Sequence, residues 1–201
     1  MANKLGVIYK EGNIVKKDVK KAIEWFRKGA EDGDKIAQYN LGNIYYWAQD
    51  GKFDYQEAKK WFTLSAKQGY SIAQFNLANL YFNKKTGFQD FKQAEHWFRT
   101  AVESGYADAG NNLGNIYKYG YGDFKVDIQK AKKYYTIAAN NGSKEAQYNL
   151  GNLYYWDEHK MMDYKKAFEW FTKSANQGYV NAEVNLGHMY YGGYYTKVNK
   201  I

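Results

Sequence analysis

Residues 37–70 read AQYNLGNIYYWAQDGKFDYQEAKKWFTLSAKQGY, and two helical faces are visible in them. In the first half Ala37, Leu41, Ile44, Tyr45 and Ala48 fall at i, i+4, i+7, i+8 and i+11, the spacing of one buried stripe. In the second half Ala58 is followed three and four residues later by Trp61 and Phe62, and the segment closes on Gly69. Outward from this stretch the same pattern returns at a fixed interval. A leucine followed by a small residue recurs as Leu5-Gly6, Leu41-Gly42, Leu77-Ala78, Leu113-Gly114, Leu150-Gly151 and Leu186-Gly187, at intervals of 36, 36, 36, 37 and 36. Alanine with paired aromatics recurs as Ala22/Trp25-Phe26, Ala58/Trp61-Phe62, Ala94/Trp97-Phe98, Ala131/Tyr134-Tyr135 and Ala167/Trp170-Phe171. Leu113 to Ala131 is one residue longer than its counterparts, which places the insertion in the loop around Gly120-Tyr121-Gly122. A fixed period of helix pairs predicts a stacked repeat: an all-α, right-handed superhelical α/α solenoid of about five and a half repeats over residues 1–201.

Within each unit the punctuation is consistent. Asp18, Asp54, Asp90, Asp127 and Asp163 recur in register ahead of the second helix, where a carboxylate caps free backbone N–H groups. Asp54 with Glu57 and Asp90 with Gln93 have the spacing of a capping box. Gly33, Gly69, Gly105, Gly142 and Gly178 follow the second helix at the position that favours a left-handed residue. Gly42, Gly114, Gly151 and Gly187 lie inside the first helix, where glycine costs about 1 kcal/mol relative to alanine. Their recurrence implies close approach by a neighbouring helix. The paired aromatics, at helical spacing from alanines, read as core.

These motifs resemble the Sel-one-like repeat (SLR) family, relatives of the tetratricopeptide (TPR) repeats. The family pattern is Ala-x-x-x-Leu-Gly-x-x-Tyr, a Gly-rich loop, then Asp-x-x-Lys-Ala-x-x-Trp-Tyr/Phe-x-x-Ala-Ala-x-x-Gly, and it covers essentially the whole chain. Departures lie in the loops, where Ala48 to Phe53, Asn83 to Phe88 and Asp157 to Met162 carry bulkier or charged residues, and in the absence of the cysteine pairs found in some secreted members. The resemblance implies a solenoid adaptor that assembles protein complexes. The first helix starts only a few residues before Leu5, and a sixth first-type helix, Asn181 to Tyr191, has no following partner. Solenoids need polar caps, so the expectation is an array without capping helices or a fragment of a longer one, with Leu5, Ile8, Tyr9, Leu186, Met189 and Tyr190 underpacked and end-to-end self-association possible. A fold-back of Tyr194-Tyr195 after Gly192-Gly193 is the alternative closure.

Composition narrows the chemistry. The 201 residues contain no cysteine and no proline, where about ten prolines would be usual, and 22 tyrosines. Without cysteine there is no disulfide framework, thiolate nucleophile or thiolate metal site. His96, His159 and His188 fall in three different repeats and do not converge at metal-ligand spacing. No phosphate-cradling Gly-rich loop ending in Gly-Lys-Ser/Thr and no Gly-x-Ser-x-Gly occurs, so neither a catalytic residue nor a cofactor is assigned. Asn141-Gly142-Ser143 is formally a glycosylation sequon but coincides with helix-ending turn chemistry. No stretch reaches the roughly 18 apolar residues of a membrane span, and no export signal is visible in the chain.

The net charge of +8 raises the alternative of a nucleic acid or another acidic partner. Its lysines, however, sit mainly on second helices (Lys20, Lys21, Lys59, Lys60, Lys132, Lys133, Lys165, Lys166), on the outer wall of a solenoid, which makes nucleic acid the weaker reading. First helices line the concave groove. Opposite their buried stripe lie Tyr39, Asn43, Tyr46 and Trp47; Phe75, Asn79 and Phe82; Asn111, Asn115, Lys118 and Tyr119; and Tyr148, Asn152, Tyr155 and Trp156. This row of asparagine amides flanked by aromatics is the predicted binding site for a protein or an extended peptide. Lys118 alone offers a positive charge there in the central repeats, too little for a carboxylate clamp. Asparagines of the first helices, above all the second series Asn40, Asn76, Asn112, Asn149 and Asn185, could instead serve only the stacking of repeats.

Overall fold

The computed structural model describes residues 1–48, 51, 53–156 and 161–194. His159, Tyr195 and parts of the loops 48–53 and 157–162 lie outside the described residues. The fold is all-α, with eleven α-helices and one short 3-10 turn among the described residues. The chain forms two compact units, Met1–Tyr106 and Ala107–Ile201. The first holds α1 (Ala2–Glu11), α2 (Val19–Glu31), α3 (Lys35–Tyr46), α4 (Tyr55–Lys67), α5 (Ser71–Phe82) and α6 (Phe91–Glu103). The second holds α7 (Ala109–Tyr119), α8 (Ile128–Asn140), α9 (Lys144–Tyr155), α10 (Tyr164–Ala175) and α11 (Val180–Tyr191). Within each unit consecutive helices pack on one another, as the helix-pair reading requires.

All five aspartates cap as expected, each accepting a backbone N–H in the first turn of α2, α4, α6, α8 or α10. The return half of the capping box does not form. The N–H of each capping aspartate donates instead to a tyrosine carbonyl on the preceding helix: Asp18 to Tyr9, Asp54 to Tyr45, Asp90 to Tyr81, Asp127 to Tyr117 and Asp163 to Tyr154, at 2.8–3.0 Å. This bond closes each helix pair. It leaves the Glu57 carboxylate to accept from the Trp61 indole at 2.8 Å.

The mid-helix glycines face a ring. A Cβ at Gly6, Gly42, Gly114 or Gly151 would lie 2.5–2.6 Å from Phe26, Phe62, Tyr135 or Phe171. These are the second members of the aromatic pairs, all fully buried with Phe98. The first members divide: Trp61 is buried, whereas Trp25, Trp97, Tyr134 and Trp170 are half-buried along the second helices. Repeats also stack through buried glutamines. Gln38, Gln74 and Gln147 donate to the carbonyls of Ala30, Ala66 and Ala139 at 3.1–3.2 Å. Gln68 and Gln177 then donate at 2.8 Å to the carbonyl oxygens of Gln38 and Gln147. Where the third copy of that donor would stand the residue is Ser104, too short to reach, and the Gln74 side-chain oxygen is buried without a partner.

At the outer helices the expectation of underpacking holds in part. Leu5 and Leu186 are half-buried where Leu41, Leu77 and Leu113 are fully enclosed, and a Cβ on Gly187 would meet nothing within 4 Å. Tyr190 is 54% exposed. Met189 departs from the expectation and is fully buried, because it lies on the face of α11 turned toward α10 rather than on the open face.

Candidate functional site

In the frame of each repeat leucine, the predicted site residues occupy four positions of the first helix: two before it, and two, five and six after it. All fifteen are half-buried or exposed. The aromatics two before and five after the leucine grip the buried phenylalanine of their own repeat. Tyr39 and Tyr46 sit 6.3 and 6.0 Å from Phe62, Phe75 and Phe82 sit 5.8 and 6.1 Å from Phe98, and Tyr148 and Tyr155 sit 5.9 Å from Phe171. One edge of each therefore belongs to the core and the other faces outward.

Two clusters repeat each other closely. In the first unit Tyr46 lies 4.8 Å from Trp47 at 81° and 5.6 Å from Tyr55 at 62°. In the second, Tyr155 lies 4.8 Å from Trp156 at 80° and 5.8 Å from Tyr164 at 62°. Trp47 is 63% exposed and Trp156 54%, so each indole projects from rings held edge to face. Burial, with Tyr55 beside it, pushes the Tyr46 hydroxyl pKa up against the pull of a hydrogen bond from Asn83. Burial, Tyr194 and Tyr164 push Tyr155 up in the same way.

The fourth repeat breaks this pattern. Asn111 and Lys118 stand where the second, third and fifth repeats have rings, Tyr119 is exposed beside Tyr121, and the Lys118 ammonium lies 5.0 Å from the Tyr119 ring. Its buried ring is Tyr135, whose hydroxyl donates to the Asn115 side-chain oxygen at 2.7 Å.

The asparagines are tied into stacking more fully than their spacing alone indicates. Asn76 donates to the Asn43 oxygen and Asn185 to the Asn152 oxygen, both at 3.0 Å. Asn40 and Asn149 donate instead to Asn3 and Asn111, at 2.9 and 2.8 Å. The carbonyl oxygens of Asn43, Asn115 and Asn152 thus already accept hydrogen bonds from within the protein.

Second-helix lysines rest on the tyrosines that hold the caps. Lys21 lies over Tyr9, Lys59 over Tyr81, Lys130 over Tyr117, and both Lys132 and Lys166 over Tyr154, at 5.0–5.4 Å. A cleft of about 490 Å³ is lined by Tyr9, Val15, Lys16, Lys17, Asp18 and Lys21. Asn141 of the sequon donates to the Ile137 carbonyl, and Ser143 caps α9. His96 and His188 are exposed on separate units, and no group of three His, Asp or Glu that could hold a metal occurs among the described residues. None of the described helices is long and apolar enough to cross a membrane.

The Sel1 repeat model matches residues 1–34, 35–70, 71–106, 107–143, 144–179 and 180–201. The chain belongs to the Sel1 repeat family. No curated protein sequence matches it. Among solved structures it resembles a Sel1 repeat protein from Oxalobacter formigenes, with a TM-score of 0.87 and 33% identity over 99% of this chain and 81% of that one. It also resembles a protective antigen with an SLR fold from uropathogenic Escherichia coli strains, with a TM-score of 0.91 and 32% identity over 99% of this chain, which spans 42% of the antigen. An immunity protein from Pseudomonas aeruginosa, at 22% identity and a TM-score of 0.55 over 89% of this chain, shares the fold.

Two of the repeats are more alike than the leucine spacing alone requires. Residues 35–70 and 144–179 are identical at 22 of 36 positions, including Tyr-Tyr-Trp and Asp-Tyr, and they are the two repeats with matching ring clusters. Aligning the second repeat with the fifth, rather than with its neighbours, reveals that signal.

Proposed function

We propose that this Sel1 repeat protein is a non-catalytic scaffold that binds a protein or extended peptide through the outward faces of the first helices in each unit. The observation that carries this reading is the pair of exposed tryptophans, Trp47 and Trp156, each mounted on rings already fixed by the core. Such side chains contribute large apolar area and lose little rotamer freedom on binding, which is why Trp and Tyr dominate interface hot spots. The asparagines contribute less than their number suggests, since their oxygens are engaged. What Asn43, Asn115 and Asn152 bring to a bound backbone is their amide donors, with Tyr39, Phe75, Asn79, Phe82, Asn111, Lys118, Tyr119 and Tyr148 flanking them.

The test is affinity capture with the wild-type chain and with Trp47→Ala/Trp156→Ala, followed by titration calorimetry on each captured protein after purification. A partner of this surface loses at least tenfold in affinity for the double variant, about 1.4 kcal/mol, with helicity and Tm unchanged. Equal affinity for both chains would reject the surface.

A second reading, an acidic partner, is favoured by the cleft of Lys16, Lys17 and Lys21 around Tyr9. It predicts binding that weakens steeply with salt, where contact with the tryptophan faces responds little. Submicromolar binding of single-stranded RNA at physiological salt would make nucleic acid that partner.

A further inference from the structure

The two ring clusters are built alike but covered differently. In the second unit Tyr194 folds back beyond α11 and seats its ring 4.9 Å from Tyr164 and 6.0 Å from Tyr155, the latter edge to face at 87°. Its backbone N–H is anchored to the Met189 carbonyl at 3.0 Å. The turn that delivers it is Gly192-Gly193, with Gly193 in the left-handed region at φ 67°, and a Cβ on Gly192 would collide with the Tyr194 ring. In the first unit the residue in the same register is Lys85, which is exposed; there Asn83 hydrogen-bonds the Tyr46 hydroxyl and the Phe53 ring packs on Tyr55 at 5.7 Å, while Trp47 and Phe53 remain 63% and 64% exposed.

From this contrast we infer that the Tyr46–Trp47–Tyr55 face is a seat for a tyrosine side chain carried on a glycine-containing turn of a partner protein, and that Tyr194 occludes the equivalent seat at Tyr155–Trp156–Tyr164. The chain itself shows the mode of binding. The ring pairs of the two seats agree to within 0.2 Å in spacing and share the same 62° angle, so the ring framework on which Tyr194 rests is repeated in the first unit. The occupant is aromatic because both walls of the seat are ring faces and edges, which reward edge-to-face and tilted contacts. Glycine precedes it because a side chain at the turn would strike the seated ring, as at Gly192. A second copy of this chain is the weaker occupant, because each copy's Tyr194 already has its own seat within reach at the high effective concentration of a tethered group.

The inference rests on the scaffold reading and specifies what its tryptophan faces recognise. The probe is a capped peptide, acetyl-Ser-Gly-Gly-Tyr-Ser-amide, with its Tyr-to-Ala analogue as control. The six tryptophan indole N–H signals of the full chain are followed by NMR, with Trp47→Phe and Trp156→Phe providing the assignments. In the wild type the peptide shifts the Trp47 signal saturably and leaves the Trp156 signal in place. In Tyr194→Ala both signals shift, because the second seat is emptied by a change at an exposed residue outside the helices. The alanine analogue binds at least tenfold more weakly to either seat.

Absence of a Trp47 shift, equal binding of the alanine analogue, or a Trp156 signal that stays silent in Tyr194→Ala would each overturn the inference. So would a Trp47 shift that grows with protein concentration without peptide and disappears in Tyr194→Ala, which would make a second copy the occupant. If the peptide fails while captured partners still depend on Trp47 and Trp156, the tyrosine seat is wrong and the scaffold reading stands.

Discussion

The fourth and fifth repeats lie side by side in one unit and solve the same packing problem with different chemistry. In the fifth, a phenylalanine is held between Tyr148 and Tyr155, and Tyr179 packs on Tyr148 at 5.1 Å where the next helix would otherwise have a capping side chain. In the fourth, Asn111 and Lys118 replace those rings, Ser143 caps the next helix, and the buried ring is a tyrosine bonded to Asn115. The asparagine bridge to the following repeat moves with this change. It ends on Asn152 above the leucine when a ring fills the lower position, and on Asn111 when that position is polar. The first and second repeats make the same contrast: Asn40 reaches Asn3, Asp34 caps α3, and Asn76 reaches Asn43. The backbone repeat is indifferent to which set it carries. Only the ring-packed set leaves a tryptophan standing on the surface.

The largest effect expected from breaking this contrast is at the core ring. Phe171→Ala removes the support of both Tyr148 and Tyr155 and should cost about 3–5 kcal/mol in denaturant unfolding. Gly151→Ala pushes a Cβ to within 2.6 Å of the same ring and should cost about 1–3 kcal/mol. Gly187→Ala, at the same repeat position with nothing within 4 Å, should gain up to about 1 kcal/mol from helix propensity. Equal effects at the two glycines would show that the ring contact does not decide their role.

In the polar-packed repeat, Tyr135→Phe should cost about 1 kcal/mol by deleting the bond to Asn115. Burial, followed by the nearby Tyr119 and Tyr121, raises the Tyr135 pKa far above its usual 10. The folded chain then holds a proton that the unfolded chain releases, so stability falls as pH rises above about 10. Tyr135→Phe should flatten that alkaline loss, as followed by circular dichroism between pH 9 and pH 12 (about two units above the usual tyrosine value at the upper limit). The smallest change expected is a gain of about 1 kcal/mol for Ser104→Gln, which supplies the donor that Gln74 lacks. No change in Tm would mean that the longer side chain does not reach it.

The solenoid was legible in the sequence because its determinants are local and periodic: leucine stripes, capping aspartates and turn glycines recur every 36 or 37 residues. The outward-facing aromatics were legible for the same reason. Three features were not. The partner of each asparagine depends on a residue 33 to 38 positions away on another helix, and alternates with the residue two before the leucine. The capping box looked complete by spacing, yet a tyrosine carbonyl takes the aspartate N–H. Met189 looked exposed because periodicity marks its face without saying which neighbour covers it.

The central claim is that partners meet the first-helix tryptophans and not the second-helix wall. Hydroxyl-radical footprinting of the full chain, alone and saturated with a captured partner, tests it most directly. Trp47 should be protected severalfold, while Trp25, Trp97 and Trp170, half-buried on second helices, should react equally in both states. Protection of those three with Trp47 unchanged would place the interface on the second helices and contradict the account.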